Sequence, residues 1–138
     1  MSIVVRRPTE ADGEAIAGIL AASPEAAQWQ ARDHPGYECR VAVGGSNVSG
    51  FVVWRTVAAG EHELLNLAVA PEFRRHGIAR MLVETAIGSA RGQWFLEVRE
   101  SNSAARSLYQ RMGFTETGVR HKYYENPQEP GIVMSFCS

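Results

Sequence analysis

The sequence predicts an α+β fold: a mixed, mostly antiparallel sheet with helices on its faces. Three observations lead there. Runs rich in β-branched and aromatic residues alternate with stretches of helical period in the order β-α-α-β-β-β-α-β-α-β-β. Three of the strands follow one another with only short turns between them, which predicts an antiparallel meander. Finally, 138 residues with 45% hydrophobic content suit one domain, residues 1–138, that buries a core without metals or disulfides.

The elements follow in order. Ser2–Arg7 is β-branched and ends at Pro8-Thr9, and Thr9-Glu10-Ala11-Asp12 reads as a cap before Ala15, Ile16, Ile19 and Leu20 at helical spacing. Ser23-Pro24-Glu25 starts a short second helix through Ala26, Ala27 and Trp29, broken by His34-Pro35-Gly36. Glu38–Val43 and Val48–Thr56 are strands joined by Gly44-Gly45-Ser46-Asn47, and Glu61–Val69 is the third strand of the meander. A helix from about Gly77 to Ala90 carries Ile78, Leu82, Ala86 and Ser89 along one face and ends at Gly92. Gln93–Arg99 is a strand with a nearly continuous apolar core, and a helix follows from about Asn102 to Met112, stopped by Gly113. Thr115–Tyr124, a proline-containing loop and Ile132–Cys137 complete the sheet.

Composition excludes several functions. A formal charge of -1, from 14 basic and 15 acidic side chains, offers no global field for nucleic acid, so any anion site must be local. Cys39 and Cys137 form neither a disulfide scaffold nor a metal knuckle, which fits a reducing cytoplasm. No window reaches the ~18 apolar residues of a membrane span, so no membrane association is expected. His34, His62, His76 and His121 lack metal-ligand spacing and are expected at the surface; no metal is predicted. No G-x-S-x-G motif supports a hydrolase triad. Trp54 and Trp94 lie in apolar strands and read as core.

The segment Arg74-Arg75-His76-Gly77-Ile78-Ala79-Arg80 follows a strand and opens a helix. A helix start presents unpaired N–H groups and the positive end of the helix dipole. Gly77 lets a phosphate come close to the main chain, and Arg74, Arg75 and Arg80 add charge for a pyrophosphate. Charge runs usually face water, so a solvated turn is the competing reading. The strand before, the helix after and a small residue two places beyond Gly77 are jointly what a phosphate cradle needs. It is no Walker A loop, since no Lys-Ser/Thr follows the glycine.

Arg74-x-x-Gly77-x-Ala79 resembles the R/Q-x-x-G-x-G/A signature of the GNAT acetyltransferases, with Ala79 in the second glycine place. The stretch Leu96-Glu97-Val98-Arg99-Glu100-Ser101-Asn102 through Leu108-Tyr109-Gln110-Arg111-Met112-Gly113-Phe114 resembles the bacterial ribosomal-protein-alanine N-acetyltransferases within that family, as does Arg120-His121-Lys122-Tyr123-Tyr124. The resemblance implies the GNAT fold and acetyl-CoA as cosubstrate, its pyrophosphate held by Arg74, Arg75, His76, Gly77, Ile78, Ala79 and Arg80. It further implies a strand bulge whose backbone, by position Leu67, Ala68 and Val69, meets the pantetheine arm and thioester. The implied acceptor is a protein N-terminus, the alanine of a small-subunit ribosomal protein.

Aminolysis of a thioester needs a neutral amine and an acid for the leaving thiolate. An α-amino group, with a reference pKa of about 7.7–8.0 against about 10.4 for lysine, needs only a mild base. The resemblance casts Glu97 as that base and Tyr109 as the acid. Partial burial on an apolar strand would raise the Glu97 carboxyl; the alternative role is an ion pair with Arg99 or another basic side chain. Tyr109 between Leu108 and Met112 also reads as a core aromatic. Asn102 reads as helix N-cap and, by the resemblance, as a coenzyme contact. Two other functions keep the fold: a GNAT enzyme acting on a small amine or lysine side chain, and a non-catalytic coenzyme A-binding regulatory module. Retention of both Glu97 and Tyr109 argues against the second. Residues Pro24–Tyr37, with Trp29, and Tyr123-Tyr124 would decide the acceptor.

Overall fold

The computed structural model describes residues 2–23, 36–124 and 128–138. Strand β1 (Ile3–Arg6) leads through a 3-10 turn (Glu10–Asp12) into helix α1 (Gly13–Ala21). Strands β2 (Tyr37–Gly44), β3 (Asn47–Ala58) and β4 (Glu61–Val69) form the meander, a second 3-10 turn (Pro71–Phe73) follows, and then helix α2 (Ile78–Ser89). Strand β5 (Gln93–Arg99), helix α3 (Ser103–Arg111), β6 (Thr115–Tyr124) and β7 (Glu129–Cys137) complete the chain. The second helix expected around Trp29 lies outside the described residues.

All seven strands form one sheet in the order β1-β2-β3-β4-β5-β7-β6. Every pairing is antiparallel except β4 with β5. The two-residue turn Gly45-Ser46 closes the β2–β3 hairpin, with Gly45 at φ 63°. Central β3 is buried on both faces from Ser49 to Trp54, so its residues divide between two cores. On one face α1 contributes Ile16, Ile19 and Leu20 to a cluster with Val41, Phe51, Val53 and Ala68. On the other, Ile78, Leu82, Val83 and Ala86 of α2 and Tyr109 of α3 cover Val52, Trp54, Trp94, Leu96 and Val98. Each large apolar side chain so buried contributes about 1.5–3 kcal/mol.

Several local expectations shift. Val83, not the exposed Ser89, completes the buried stripe of α2, because the sheet lies under the Ile78–Leu82–Val83–Ala86 arc, and the helix stops at Ser89, one residue before the expected Ala90. Strand β7 starts at Glu129, so Pro130 lies inside it; proline lacks an N–H, and its carbonyl accepts from Glu100 N at 3.1 Å. His62 is buried rather than at the surface, because its ring nitrogens meet Thr56 Oγ1 and the Arg91 carbonyl, each at 2.9 Å. His76 and His121 are exposed, and His34 lies outside the described residues. Trp54 and Trp94 are both core.

One glycine sets how closely α2 approaches the sheet. A Cβ at Gly50 would stand 2.8 Å from the Ala68 carbonyl oxygen and 3.2 Å from Leu82 Cδ1. Its absence brings α2, and with it the turn before that helix, against the C-terminal end of β4.

Candidate active site

Beyond Val69 the chain is pinned by a hydrogen bond from Ala70 N to the Ser49 carbonyl, 2.7 Å. Pro71–Phe73 then makes one 3-10 turn and Arg74 is extended at ψ 156°, its Nε donating back to the Val69 carbonyl at 3.3 Å. Arg75 (φ 69°) and Gly77 (φ 74°) both occupy the left-handed region, and α2 starts at Ile78. A left-handed residue costs little for glycine and about 1–2 kcal/mol for arginine. A Cβ at Gly77 would meet nothing within 4 Å, so its backbone angle, and not crowding, calls for glycine in the free protein.

Met81 N–H makes the bond to the Gly77 carbonyl at 3.1 Å. The N–H groups of Ile78, Ala79 and Arg80 precede it, have no carbonyl within the helix, and receive no cap from the side-chain-free Gly77. They open on a cavity of about 260 Å³. Its walls are Val69, Phe73, Arg74, Arg75, Gly77, Ile78, Ala79 and Arg80, with Leu108 and Arg111 arriving from α3. Four arginines and no carboxylate line it, which suits a polyanion.

Most of the residues expected at the anion site do line this cavity, with four exceptions. His76 is exposed and is not part of its lining. Leu67 and Ala68 do not reach it; Ala68 belongs to the core under α1. Asn102 is the N-cap of α3, accepting from Ala105 N at 3.2 Å, and is no part of the lining. Phe73, Leu108 and Arg111 were not foreseen. The spacing of Leu108 and Arg111 puts them on one face of α3, but the packing of α3 beside α2's start decides that this face meets the turn.

The strand bulge falls earlier than expected. Val53 pairs with Asn66 and Trp54 with Leu64, so Leu65 is the extra residue, two places before Leu67. Asn66 is buried and its Oδ1 accepts from Leu67 N at 3.0 Å. On the other side, β4 and β5 pair only from Glu61–Gln93 to Glu63–Phe95. Beyond those pairs the β4–β5 register does not continue among the described residues, and Leu65–Val69 and Leu96–Arg99 border the gap. Val69 at the end of this gap joins it to the arginine-lined cavity.

Glu97 is on β5 in the parted region, its side chain 19% exposed. Its Oε1 accepts from Arg120 Nη1 at 2.8 Å. Its Oε2 is buried and has no hydrogen-bond partner among the described residues. Arg99 is not its partner: Arg99 pairs with Glu129 at 3.1 Å, because Glu129 is held beside it by Ser101 Oγ at 3.0 Å. Tyr109 is buried against Phe114, ring centroids 5.6 Å apart, in the core that covers the Trp94, Leu96 and Val98 face of β5. Glu97, by strand alternation, is on the opposite face. Base and acid candidates thus flank the sheet from two sides, and the gap between β4 and β5 is the opening between those sides.

Among the described residues no group of three or more His, Cys, Asp or Glu is arranged to hold a metal ion, and no helix is long and apolar enough to cross a membrane. Cys39 and Cys137 are both free thiols.

Comparison with known proteins agrees with this geometry. The [ribosomal protein bS18]-alanine N-acetyltransferase of Salmonella typhimurium is 44% identical over 85 residues, 57% of this chain and 57% of that protein. The chain therefore matches somewhat over half the length of that curated relative. Among solved structures, the ribosomal-protein-S18-alanine N-acetyltransferase from Escherichia coli superposes with a TM-score of 0.82 at 25% identity, covering 99% of this chain and 94% of that one. Ard1 from Thermoplasma volcanium gives a TM-score of 0.88 at 25% identity, covering 99% and 98%. Residues 8–114 match the family model described as the acetyltransferase (GNAT) family, and that match, over most of the chain and across the arginine-lined turn, makes this chain a member of the GNAT family.

Proposed function

We propose that residues 1–138 act as one domain that transfers the acetyl group of acetyl-CoA to the α-amine of a protein N-terminus, the alanine of a small-subunit ribosomal protein. The observation that carries this reading is a juxtaposition. The two strands bordering one gap bear, respectively, the entrance to a carboxylate-free, four-arginine cavity and a carboxylate with one buried, unpartnered oxygen. The named acceptor of the Salmonella and Escherichia coli relatives supports the choice of amine. A cytoplasmic location follows from such an acceptor and suits two free cysteines.

The N–H groups at the start of α2, with Arg74, Arg75, Arg80 and Arg111, would hold the pyrophosphate of the cosubstrate. The backbone of Leu67, Ala68 and Val69 along the gap would meet its pantetheine arm and polarise the thioester carbonyl. Asn102 adds a coenzyme contact to its capping role. Glu97 Oε2 takes a proton from the acceptor's ammonium, the freed lone pair forms the new C–N bond, and the C–S bond breaks. Glu97 passes that first proton to solvent and accepts the second from the newly bonded nitrogen. Tyr109 gives its proton to the departing thiolate, and the second proton, relayed from Glu97 through solvent, restores the tyrosine. The sum is acetyl-CoA plus ammonium to amide plus coenzyme A plus one proton.

Steady-state thiol release tests this with peptides beginning in alanine, peptides with a blocked N-terminus and an internal lysine, and polyamines. The alanine peptides should be the best acceptors, and Glu97→Gln should lower kcat by about 10²–10⁴-fold, the usual worth of a positioned proton carrier. Tyr109→Phe, which keeps the packing on Phe114, should also lower kcat. Activity confined to polyamines removes the proposed acceptor; undiminished kcat in both variants removes the proposed chemistry.

A further inference from the structure

The contact that holds Glu97 comes from a strand that does not touch its own. In the sheet β7 stands between β5 and β6. The register places Glu97, Val133 and Gly118 in one row across the three strands, and Arg99, Gly131 and Arg120 in another, two residues along. Strand alternation puts both rows on the same face. Arg99 is two residues from Glu97 on the same strand, yet it is committed to Glu129 at 3.1 Å, with both side chains largely buried. Arg120 instead spans β7 and reaches Glu97 Oε1 at 2.8 Å. It does so past Gly131, the one residue of its row without a side chain.

We propose that Arg120 is a positioning residue for the reaction: it fixes Glu97 through Oε1 and thereby leaves the buried Oε2 as the oxygen that receives the acceptor's proton. This rests on Glu97 being the base. Arginine suits the task because its donors are rigidly forked and it keeps its charge, while a side chain 55% exposed remains hydrated and leaves Glu97 able to exchange protons. A buried carboxylate oxygen without a donor is costly and rare, and it is tolerated where a substrate group is to fill the vacancy. Two arginines and two glutamates sit close together here, and the Arg99–Glu129 pair leaves Arg120 as the arginine that meets Glu97.

The test is a double-mutant cycle on thiol release with an alanine-initiated peptide. Arg120→Ala should lower kcat at least tenfold with the KM for acetyl-CoA within twofold of wild type, and Arg120→Lys should recover part of the loss. In the Glu97→Gln background, Arg120→Ala should change kcat by less than twofold, since a residue that acts through the base has nothing left to act on. Wild-type kcat in Arg120→Ala, or an equal loss in both backgrounds, overturns the proposal. If Glu97→Gln alone retains wild-type kcat, it is the assignment of the base that fails, a separate outcome. Should Arg120→Ala show no thermal transition, Arg120→Met, which keeps the aliphatic stem, carries the same comparison.

Discussion

Replacing Asp12 by Asn isolates one buried charge at the mouth of α1. Arg6 Nη1 and Nη2 donate to its two oxygens at 2.8 and 3.2 Å, and Thr9 N donates to Oδ2 at 2.6 Å. The Asp12 side chain is only 8% exposed, and these donors, the Arg6 guanidinium first and the Thr9 amide second, bring its pKa from 3.8 down to about 2. A depressed folded pKa means that the folded state favours the ionised form. The resulting stability is complete above the unfolded value and is lost as pH falls from about 4 through about 2. At about 1.4 kcal/mol per unit, the difference is roughly 2 kcal/mol at neutral pH. Urea unfolding of wild type and Asp12→Asn at pH 7, 5, 3 and 2 should therefore show a gap of about 2 kcal/mol at pH 7 and 5. The gap should shrink at pH 3 and nearly close at pH 2, with equal m-values. Other carboxylates titrate in both proteins and cancel. A gap that stays constant down to pH 2, or none at pH 7, refutes the reasoning.

Two further outcomes follow from the same geometry. Arg111→Ala removes one of the four cavity arginines and leaves only the Ser107 hydroxyl without its 2.6 Å donor. A hydrogen bond to a charged group is worth about 1.5–3 kcal/mol, so the dissociation constant for acetyl-CoA measured by calorimetry should rise about 10–100-fold with little change in kcat or thermal midpoint. An unchanged dissociation constant excludes Arg111 from the anion site. Burial pushes the Cys39 thiol up to about 11, whereas Cys137 is exposed, so a thiol reagent at pH 8 should label one cysteine quickly in the native protein and none quickly in Cys137→Ser. Two fast thiols in the native chain would contradict the burial of Cys39.

How much was legible in the sequence depends on the range over which each signal acts. The meander, α2, β5 and α3 were readable because alternation, helical period, Gly45 and the Asn102 cap act over a few residues. The turn at Arg74–Arg80 was readable for the same reason: a strand end, a left-handed glycine and a helix start are consecutive in the chain. Glu97 and Tyr109 were named by resemblance, but their placement on opposite faces of β5 follows from strand alternation and from where α3 packs. The ion pair was half-read. A basic partner for Glu97 was expected, yet Arg99, the nearer in sequence, is taken by Glu129, and Arg120, 23 residues away, takes its place. The buried His62 escaped notice because, beside its hairpin partner Thr56, the carbonyl that meets its other ring nitrogen comes from Arg91, 29 residues away.

By itself, then, the sequence determined most of the described strands and helices, the helix-start turn and the family, since each is written in contiguous residues whose backbone preferences and periods are local. Tertiary structure alone decided which arginines share the cavity, where β4 and β5 part, and which cation holds Glu97. Those depend on strand order and register, and in this sheet β7 inserts between β5 and β6, bringing Arg120 over Gly131 to Glu97.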